Sequence, residues 1–298
     1  MAQCNVGTAG WSYKDWEGIV YPRKKPSGFH ALRFLSQYID FMEINSTFYR
    51  MPMFNFALSW IKKVEQNPDF LFAVKLHQDF THQDKNPSQK QADEFRFGIE
   101  PLSANNRLGA VLMQFPWSFS LSTKNKLYLE RLFHMFSGLP LALEIRHSSW
   151  DNPEFLKFLS DHKVAFCNID QPVFRSSIKP TSYATNPDFT YVRLHGRNYK
   201  NWFRKNAGRD ARYDYLYPDE ELNQWINRIK NLGGKSKKTF VVTNNHYRGQ
   251  ALTNAIQIKN KLTNQKLEVP RELVKTYPEL KKIIKEIAKG QSNLFDKD

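Results

Sequence analysis

The sequence predicts an α/β fold, a TIM (β/α)8 barrel in which a closed ring of eight parallel strands is wrapped by helices. Three observations carry that expectation. Eight short β-type runs alternate with segments long enough for helices, the pattern of parallel strands joined by right-handed crossovers. The chain has 298 residues, a length that accommodates eight such units. No Gly-x-Gly-x-x-Gly follows any run, which removes the usual nucleotide-binding signal of the open, doubly wound alternative.

In order, the runs cover 5–8, 41–45, 71–77, 110–115, 141–146, 165–170, 191–195 and 240–244. The clearest helical segments cover 56–66, 88–105, 123–136, 153–162, 220–232 and 249–262. Ser122-Thr123 and Asp151-Asn152 supply N-cap oxygens, Pro153 suits a first turn, and Gly138 and Gly233 are placed as C-terminal stops. From Pro270 the pattern is helical, with Leu280, Ile283, Ile284 and Ile287 on a single stripe packed across the barrel. Residues 1–265 are therefore expected to form the barrel domain, and residues 266–298 a helical extension whose end, from Gln291, is frayed.

Composition narrows the class. Hydrophobic residues at 41% and charged residues at 24% exclude a disordered chain. No apolar run approaches the length of a membrane span, so no membrane partner is expected. The N-terminal residues lack the basic and apolar regions of a signal peptide, and two cysteines, Cys4 and Cys167, are too few for a disulfide scaffold; a reducing cytoplasm is the expected location. The net charge of +15 favours anionic partners. Twelve Lys/Arg stand against five Asp/Glu between Arg193 and Lys238, so nearly half of the excess lies in one stretch.

Side chains alternate along a strand, so positions two apart share a face. Each run then shows one apolar face and one that turns polar toward its C-terminal end, the end that forms the active-site mouth of such barrels. The expected inward ring is Glu43, Asn45, Lys75, His77, Gln114, Glu144, Arg146, Asn168, Asp170, Arg193, His195 and Asn244. Cys167 falls on the outward face of its run and reads as core. Three acids match three bases in the ring, so a mutually satisfied plug is one reading and a catalytic site the other. Trp11, Trp16, Trp117, Trp150 and Trp202 fall in strand-to-helix loops at the same mouth, whereas Trp60 and Trp225 fall in helices. Trp16 and Trp150 are expected to cover the core. After His195 the run Gly196-Arg197-Asn198-Tyr199-Lys200-Asn201-Trp202-Phe203-Arg204-Lys205, with Arg209 and Arg212, alternates basic with aromatic residues. That is the composition of a charged groove with stacking platforms.

The leading expectation is an enzyme, hydrolase-like, acting on a phosphodiester or nucleic acid. Arg146, Arg193 and Arg197 would hold the anion. Glu144 or Asp170, with Glu43 beside them, would supply the general base, His195 the acid, and Lys75 a positive charge for developing negative charge. Trp11 or Trp202 would stack on a base; Asn45, Gln114 and Asn244 would add polar contacts. No cofactor is implied. A divalent metal drawn to Glu43, Glu144, Asp170 and His195 is not favoured, because no His-Glu-x-x-His spacing occurs and three cations compete. A sugar hydrolase using Glu144 with Asp170 or Glu43 and a non-catalytic nucleic-acid binder are the rivals. No Gly-x-Ser-x-Gly anchors serine catalysis. The oligomeric state is left open.

A family resemblance follows from Gly7-Thr8-Ala9-Gly10-Trp11-Ser12-Tyr13 with Trp16 and Tyr21-Pro22, from Glu43-Ile44-Asn45-Ser46-Thr47-Phe48-Tyr49, Phe72-Ala73-Val74-Lys75 and Thr81-His82. It continues through Gln114-Phe115-Pro116, Glu144-Ile145-Arg146-His147-Ser148-Ser149-Trp150, Arg193-Leu194-His195-Gly196-Arg197, Asn244-Asn245 and the stretch from Ala251 to Ala255. In that order, over residues 5 to 260, the chain resembles the domain of unknown function 72 (YecE-like) family. His246-Tyr247 departs from it, standing where the family more often has a small hydroxyl residue. The resemblance implies a TIM barrel of no assigned activity, similar in architecture to the endonuclease IV and xylose isomerase superfamily.

Overall fold

The computed structural model describes residues 3–82, 86–204 and 208–285. Eight parallel strands close into a barrel in sequence order. They are β1 (Gln3–Ala9), β2 (Phe41–Ile44), β3 (Leu71–Lys75), β4 (Leu108–Gln114), β5 (Leu141–Glu144), β6 (Ala165–Asp170), β7 (Phe189–Leu194) and β8 (Lys238–Thr243). The ring closes where Gln3 through Thr8 pair with Lys238 through Thr243. The strands are Val-, Ile-, Leu- and Phe-rich because each is covered on both faces, by helices outside and by the other strands' side chains within.

The helices are α1 (Ala31–Leu35), α2 (Ser46–Tyr49), α3 (Phe54–Lys63), α4 (Gln78–Thr81), α5 (Gln89–Ala104), α6 (Thr123–Met135), α7 (Pro153–Asp161), α8 (Arg209–Arg212), α9 (Asp219–Gly233), α10 (Gln250–Thr263) and α11 (Arg271–Thr276). Their starts follow local chemistry. Ser122 accepts from the Asn125 N–H at 3.1 Å, and Asn152 from the Phe155 N–H at 2.9 Å, each satisfying an orphan donor of the first turn. Gly138 takes the left-handed φ of +83° after α6. Gly233 does not act as the expected stop: it is the last residue of α9, and Gly234 beyond it stays right-handed at φ −76°.

The lower half of the barrel is an aromatic plug. Phe41 and Phe240 stack with centroids 4.5 Å apart, and Tyr191 packs beside both. The pairing of β3 with β4 slips at Phe72/Ala73 and skips Gly109, where a Cβ would come within 3.0 Å of both rings. Trp16 and Trp150 are fully buried, and their indole N–H groups donate to the His246 and Phe119 carbonyls at 2.7 and 2.8 Å.

The C-terminal extension is helical in two short pieces. It is the short α11 followed by a 3-10 turn over Pro278–Ile283. Proline disfavours helical backbone in the residue before it, and Tyr277 accordingly leaves the helix at φ −123°, ψ 78°. Leu273 and Leu280 are buried, the Tyr277 hydroxyl donates to the Arg248 carbonyl at 2.8 Å, and Ile284 pairs with Leu267 as an isolated bridge. Ile287 and the stretch from Gln291 lie outside the described residues. Among the described residues no helix is long and apolar enough to cross a membrane.

Candidate active site at the barrel mouth

Paired residues of neighbouring parallel strands point to the same side of the sheet, so one fixed side chain sets the phase of its neighbours. Tyr191 faces inward, since its hydroxyl donates to Glu43 Oε2 across the barrel at 3.0 Å. Two residues further along the same face, Arg193 bridges the interior. Its Nη2 donates to Glu43 Oε1 at 2.6 Å, and its Nη1 donates to Glu144 Oε2. The same Nη1 lies 3.3 Å from Gln114 Oε1. Arg146 grips Glu144 from above, donating through Nε at 2.9 Å and Nη2 at 2.7 Å to Oε1. His195 Nε2 is 3.3 Å from the same oxygen, and its Nδ1 is 2.9 Å from the Asn244 amide. Glu43, Glu144 and His195 are fully buried and Arg193 is 1% exposed, so this network sits in a low-dielectric interior where every charge must be paired.

The electrostatics follow from that placement. Burial alone would raise the Glu144 carboxyl; Arg193, then Arg146 and His195, more than offset it and hold it well below the usual carboxylate range. Burial lowers His195 to about 3, opposed by Glu144 and assisted by Arg146 and Arg193, so its ring is neutral at pH 7. Lys75 ends β3 half-buried. Burial, and next the positive charge of Arg193, push its amine down to about 7, while Glu43 and Glu144 pull the other way. Its Nζ lies 3.8 Å from the centroid of the Phe48 ring.

The structure thus brings Glu43, Lys75, Gln114, Glu144, Arg146, Arg193, His195 and Asn244 together. It does not bring Asn168 and Asp170 to them. In β6 the inward phase belongs to Cys167 and Ile169, which pair with Tyr191 and Arg193; Asn168 and Asp170 pair with Val192 and Leu194 and face outward. Cys167 is therefore an inward residue, not an outward one. Asn168 braces the β6–β7 connection, accepting from Thr181 Oγ1 at 2.8 Å and the Tyr183 N–H at 2.7 Å. Asp170 accepts from Arg197 Nε at 2.9 and 3.1 Å, and Arg197 Nη1 also meets Glu221 of α9 at 3.0 Å. Arg197 is thereby neutralised by two carboxylates and is not the free anion-holding group expected. With Asp170 removed, the interior holds two carboxylates, Glu43 and Glu144, against the cations Lys75, Arg146 and Arg193. The expected zero sum becomes a single positive charge whenever Lys75 is protonated.

Other positions fall at the edges. His77 lies beyond the end of β3 and caps α4, its Nδ1 accepting from the Asp79 N–H at 3.3 Å. Asn45 precedes α2, and its Oδ1 is buried without a hydrogen-bond partner among the described residues. Trp11 leans on Trp60 of α3, with ring centroids 6.5 Å apart. Trp202 covers the network: its ring is 5.9 Å from the Arg146 guanidinium and 6.4 Å from the His195 ring. Gly196, at φ +88°, lets the chain turn into this loop, since a Cβ there would sit 2.8 Å from that of Tyr215. Phe203 packs on Phe174 at 4.7 Å and Trp117 at 6.0 Å, and both Phe203 and Trp117 remain exposed. Arg204 and Arg212 are exposed; Lys205 and the Arg209 side chain lie outside the described residues. Two functional neighbours escaped the sequence reading, Tyr191 and Phe48. Tyr191 carried a usable signal, because it shares the face of Arg193 and His195.

Among the described residues no three His, Cys, Asp or Glu side chains form a metal-holding group.

Fold and site together define a closed β/α barrel with a buried, arginine-neutralised carboxylate pair at the C-terminal ends of its strands. The family described as "Protein of unknown function DUF72" matches residues 5–279, and the chain belongs to it. It is similar to the UPF0759 protein YunF of Bacillus subtilis (strain 168), 30% identical over 266 residues that span 85% of this chain and 92% of that one. A DUF72 family protein from Thermotoga maritima MSB8 superimposes with a TM-score of 0.77 at 36% identity, covering 88% of this chain and 99% of that one. Another, from Enterococcus faecalis V583, gives 0.78 at 25% identity, covering 90% and 98%.

Proposed function

We propose that this barrel is an enzyme that takes an anionic substrate, a phosphodiester or nucleic-acid strand, at its mouth and acts on it by acid/base chemistry. The state of the two uppermost cations carries the reading. Arg146 spends Nε and Nη2 on Glu144, and its Nη1 has no hydrogen-bond partner among the described residues. Lys75 Nζ likewise makes no ion pair or hydrogen bond among them. Both carboxylates that could neutralise these groups are already engaged by Arg193. An anion entering the mouth would meet two donors with spare capacity; Trp202, only 9% exposed and packed against Arg146, His195 and Tyr213, serves to cover them and not to stack on a base.

The hydrogen bonds around Glu144 support a different division of roles from the one expected. Glu144 Oε1 takes Arg146 and His195 and its Oε2 takes Arg193. A carboxylate so occupied serves to fix Arg146 rather than to accept a proton. Proton transfer then falls to Lys75, whose amine titrates near neutrality. A paired-carboxylate sugar hydrolase needs one protonated acid, and Glu43 and Glu144 are both held as partners of Arg193, so the geometry favours that reading less.

The test is fluorescence-anisotropy binding of a labelled single-stranded oligonucleotide across a salt series, with turnover of bis(p-nitrophenyl) phosphate in parallel. Arg146→Gln should weaken binding about tenfold and lower the salt slope by about one. Lys75→Met should cut turnover about a hundredfold. Binding that survives both changes, without turnover, would identify a non-catalytic binder. No binding and no turnover by the parent protein would remove the reading altogether.

A further inference from the structure

We propose that Lys75 is a covalent nucleophile, whose amine condenses with the aldehyde or ketone of a substrate that also carries an acidic group. The inference deepens the reading above and rests on Arg146 as the group that holds the acid.

The geometry around the amine is that of a lysine denied a counter-ion. Lys75 is pinned at the end of β3, its carbonyl accepting from Thr47 Oγ1 at 2.6 Å. Nζ lies over the Phe48 face at 3.8 Å, and the His82 ring stands edge-on to Phe48 at 4.8 Å. That histidine, exposed on its outer side, is pushed down to about 4 by partial desolvation and then by the charge of Lys75, so it carries no charge beside the amine at pH 7. The other charged groups facing the amine are Arg193, Glu43, Glu144 and Arg146. The two carboxylates are consumed by the arginines, and the two guanidiniums repel. A lysine wanted only for its charge gains from a carboxylate; here burial and the two guanidiniums favour the uncharged amine, the form that attacks carbonyl carbon, against the Phe48 ring face and the two carboxylates, which favour the ammonium. Pushed down to about 7, the amine has a far larger neutral share at pH 7 than an ordinary lysine has.

The step balances without a further reagent. The nitrogen lone pair forms the C–N bond while the C=O π pair moves onto oxygen. Nitrogen gives up a proton and the oxygen gains one, making a carbinolamine. The hydroxyl then leaves with a second proton as water, and the C=N bond forms. The net change is loss of one water, with no oxidation or reduction. A protonated imine would lie within the field of Glu43 and Glu144, the charges that already pull the Lys75 titration upward.

The experiment is reductive trapping on the whole chain at pH 7 with sodium cyanoborohydride, read by intact mass and peptide mapping. One arm uses glyceraldehyde 3-phosphate. The other uses a single-stranded oligonucleotide carrying one base-free deoxyribose. The expected result is one adduct at Lys75, formed about tenfold or more faster than any labelling of Lys75→Arg, which keeps a positive charge there. Arg146→Gln or added inorganic phosphate should slow it, and the faster arm identifies the source of the carbonyl. Labelling spread over exposed lysines such as Lys157, unchanged in Lys75→Arg, would overturn the inference. If unmodified oligonucleotide still binds in the Arg146-dependent manner while neither probe labels Lys75, the covalent step is wrong and the anion site stands. If binding and labelling are both lacking, both are wrong.

Discussion

Arg193→Met should lower the stability of this protein by about 3–5 kcal/mol at pH 7.5, measured by urea unfolding. Arg193 is 1% exposed and lies between two carboxylates that are fully buried. Its Nη2 is the ion-pair partner of Glu43, whose other oxygen has the Tyr191 hydroxyl. Glu144 keeps Arg146 when Arg193 is lost, but Glu43 keeps no cation in an ion pair among the described residues. The cost is therefore that of an uncompensated buried charge, more than that of lost packing, and methionine retains much of the side-chain volume. Two results separate these causes. Adding Glu43→Gln should recover part of the loss, because the stranded charge is then gone. Lowering the pH to 5.5 should narrow the gap between Arg193→Met and the parent, because a stranded carboxyl takes up a proton and becomes neutral. A variant within about 1 kcal/mol of the parent would mean that the bridge contributes little.

The eight strands were legible because each is a short apolar run in a strict strand-helix alternation, and they lie within about two residues of the runs read from sequence. The C-terminal extension is helical but divided where the sequence marks it: Pro278, just before the stripe of Leu280 and Ile283, disfavours helical backbone in Tyr277, so α11 ends at Thr276 and a 3-10 turn starts at Pro278.

The site was legible to the extent that alternation alone sets the phase. In β2, β5 and β7 the polar side chains near the C-terminal end are the inward ones, and Glu43, Glu144 and Arg193 meet. In β6 the polar side chains are the outward ones. Asn168 and Asp170 are satisfied by the connection to β7, by Arg197 and by neighbours on α9, partners that arrive from elsewhere in the chain and leave no local trace. Polarity alone does not mark the interior of β6; the pairing of Cys167 with Tyr191 decides the phase. Phe48 was equally hidden. Its place beneath Lys75 depends on the single turn of α2 folding back toward β3, and a four-residue helix has no periodicity to read.

Acid should destabilise the folded protein from about pH 6.5 downward, and His195→Gln should remove much of that limb. The unfolded histidine titrates near 6.5, whereas burial lowers the folded one to about 3. Between those values the unfolded chain binds a proton that the folded one does not, so stability falls as pH falls, by up to about 1.4 kcal/mol per pH unit. From pH 6.5 to 5 that amounts to about 1.6 kcal/mol for His195 alone. His82, pushed down to about 4, adds a smaller share because it is partly solvated. Glu144 enters later: its folded value is depressed, so its stabilisation is complete above the unfolded carboxylate range near 4.3 and is lost below it. Lys75 acts on the alkaline side. Its folded value of about 7 lies below the unfolded one, so stability rises with pH from about 7 toward 10 and is indifferent to this group in acid. Urea unfolding at pH 7.5, 6.5 and 5 for the parent and His195→Gln tests the assignment, and parallel decline of the two proteins would refute it. The same measurement bears on chemistry. If the acid limb belongs to His195, the ring stays neutral between pH 6 and 8 and is not the source of a step in activity there; loss of such a step in Lys75→Met would assign it to Lys75.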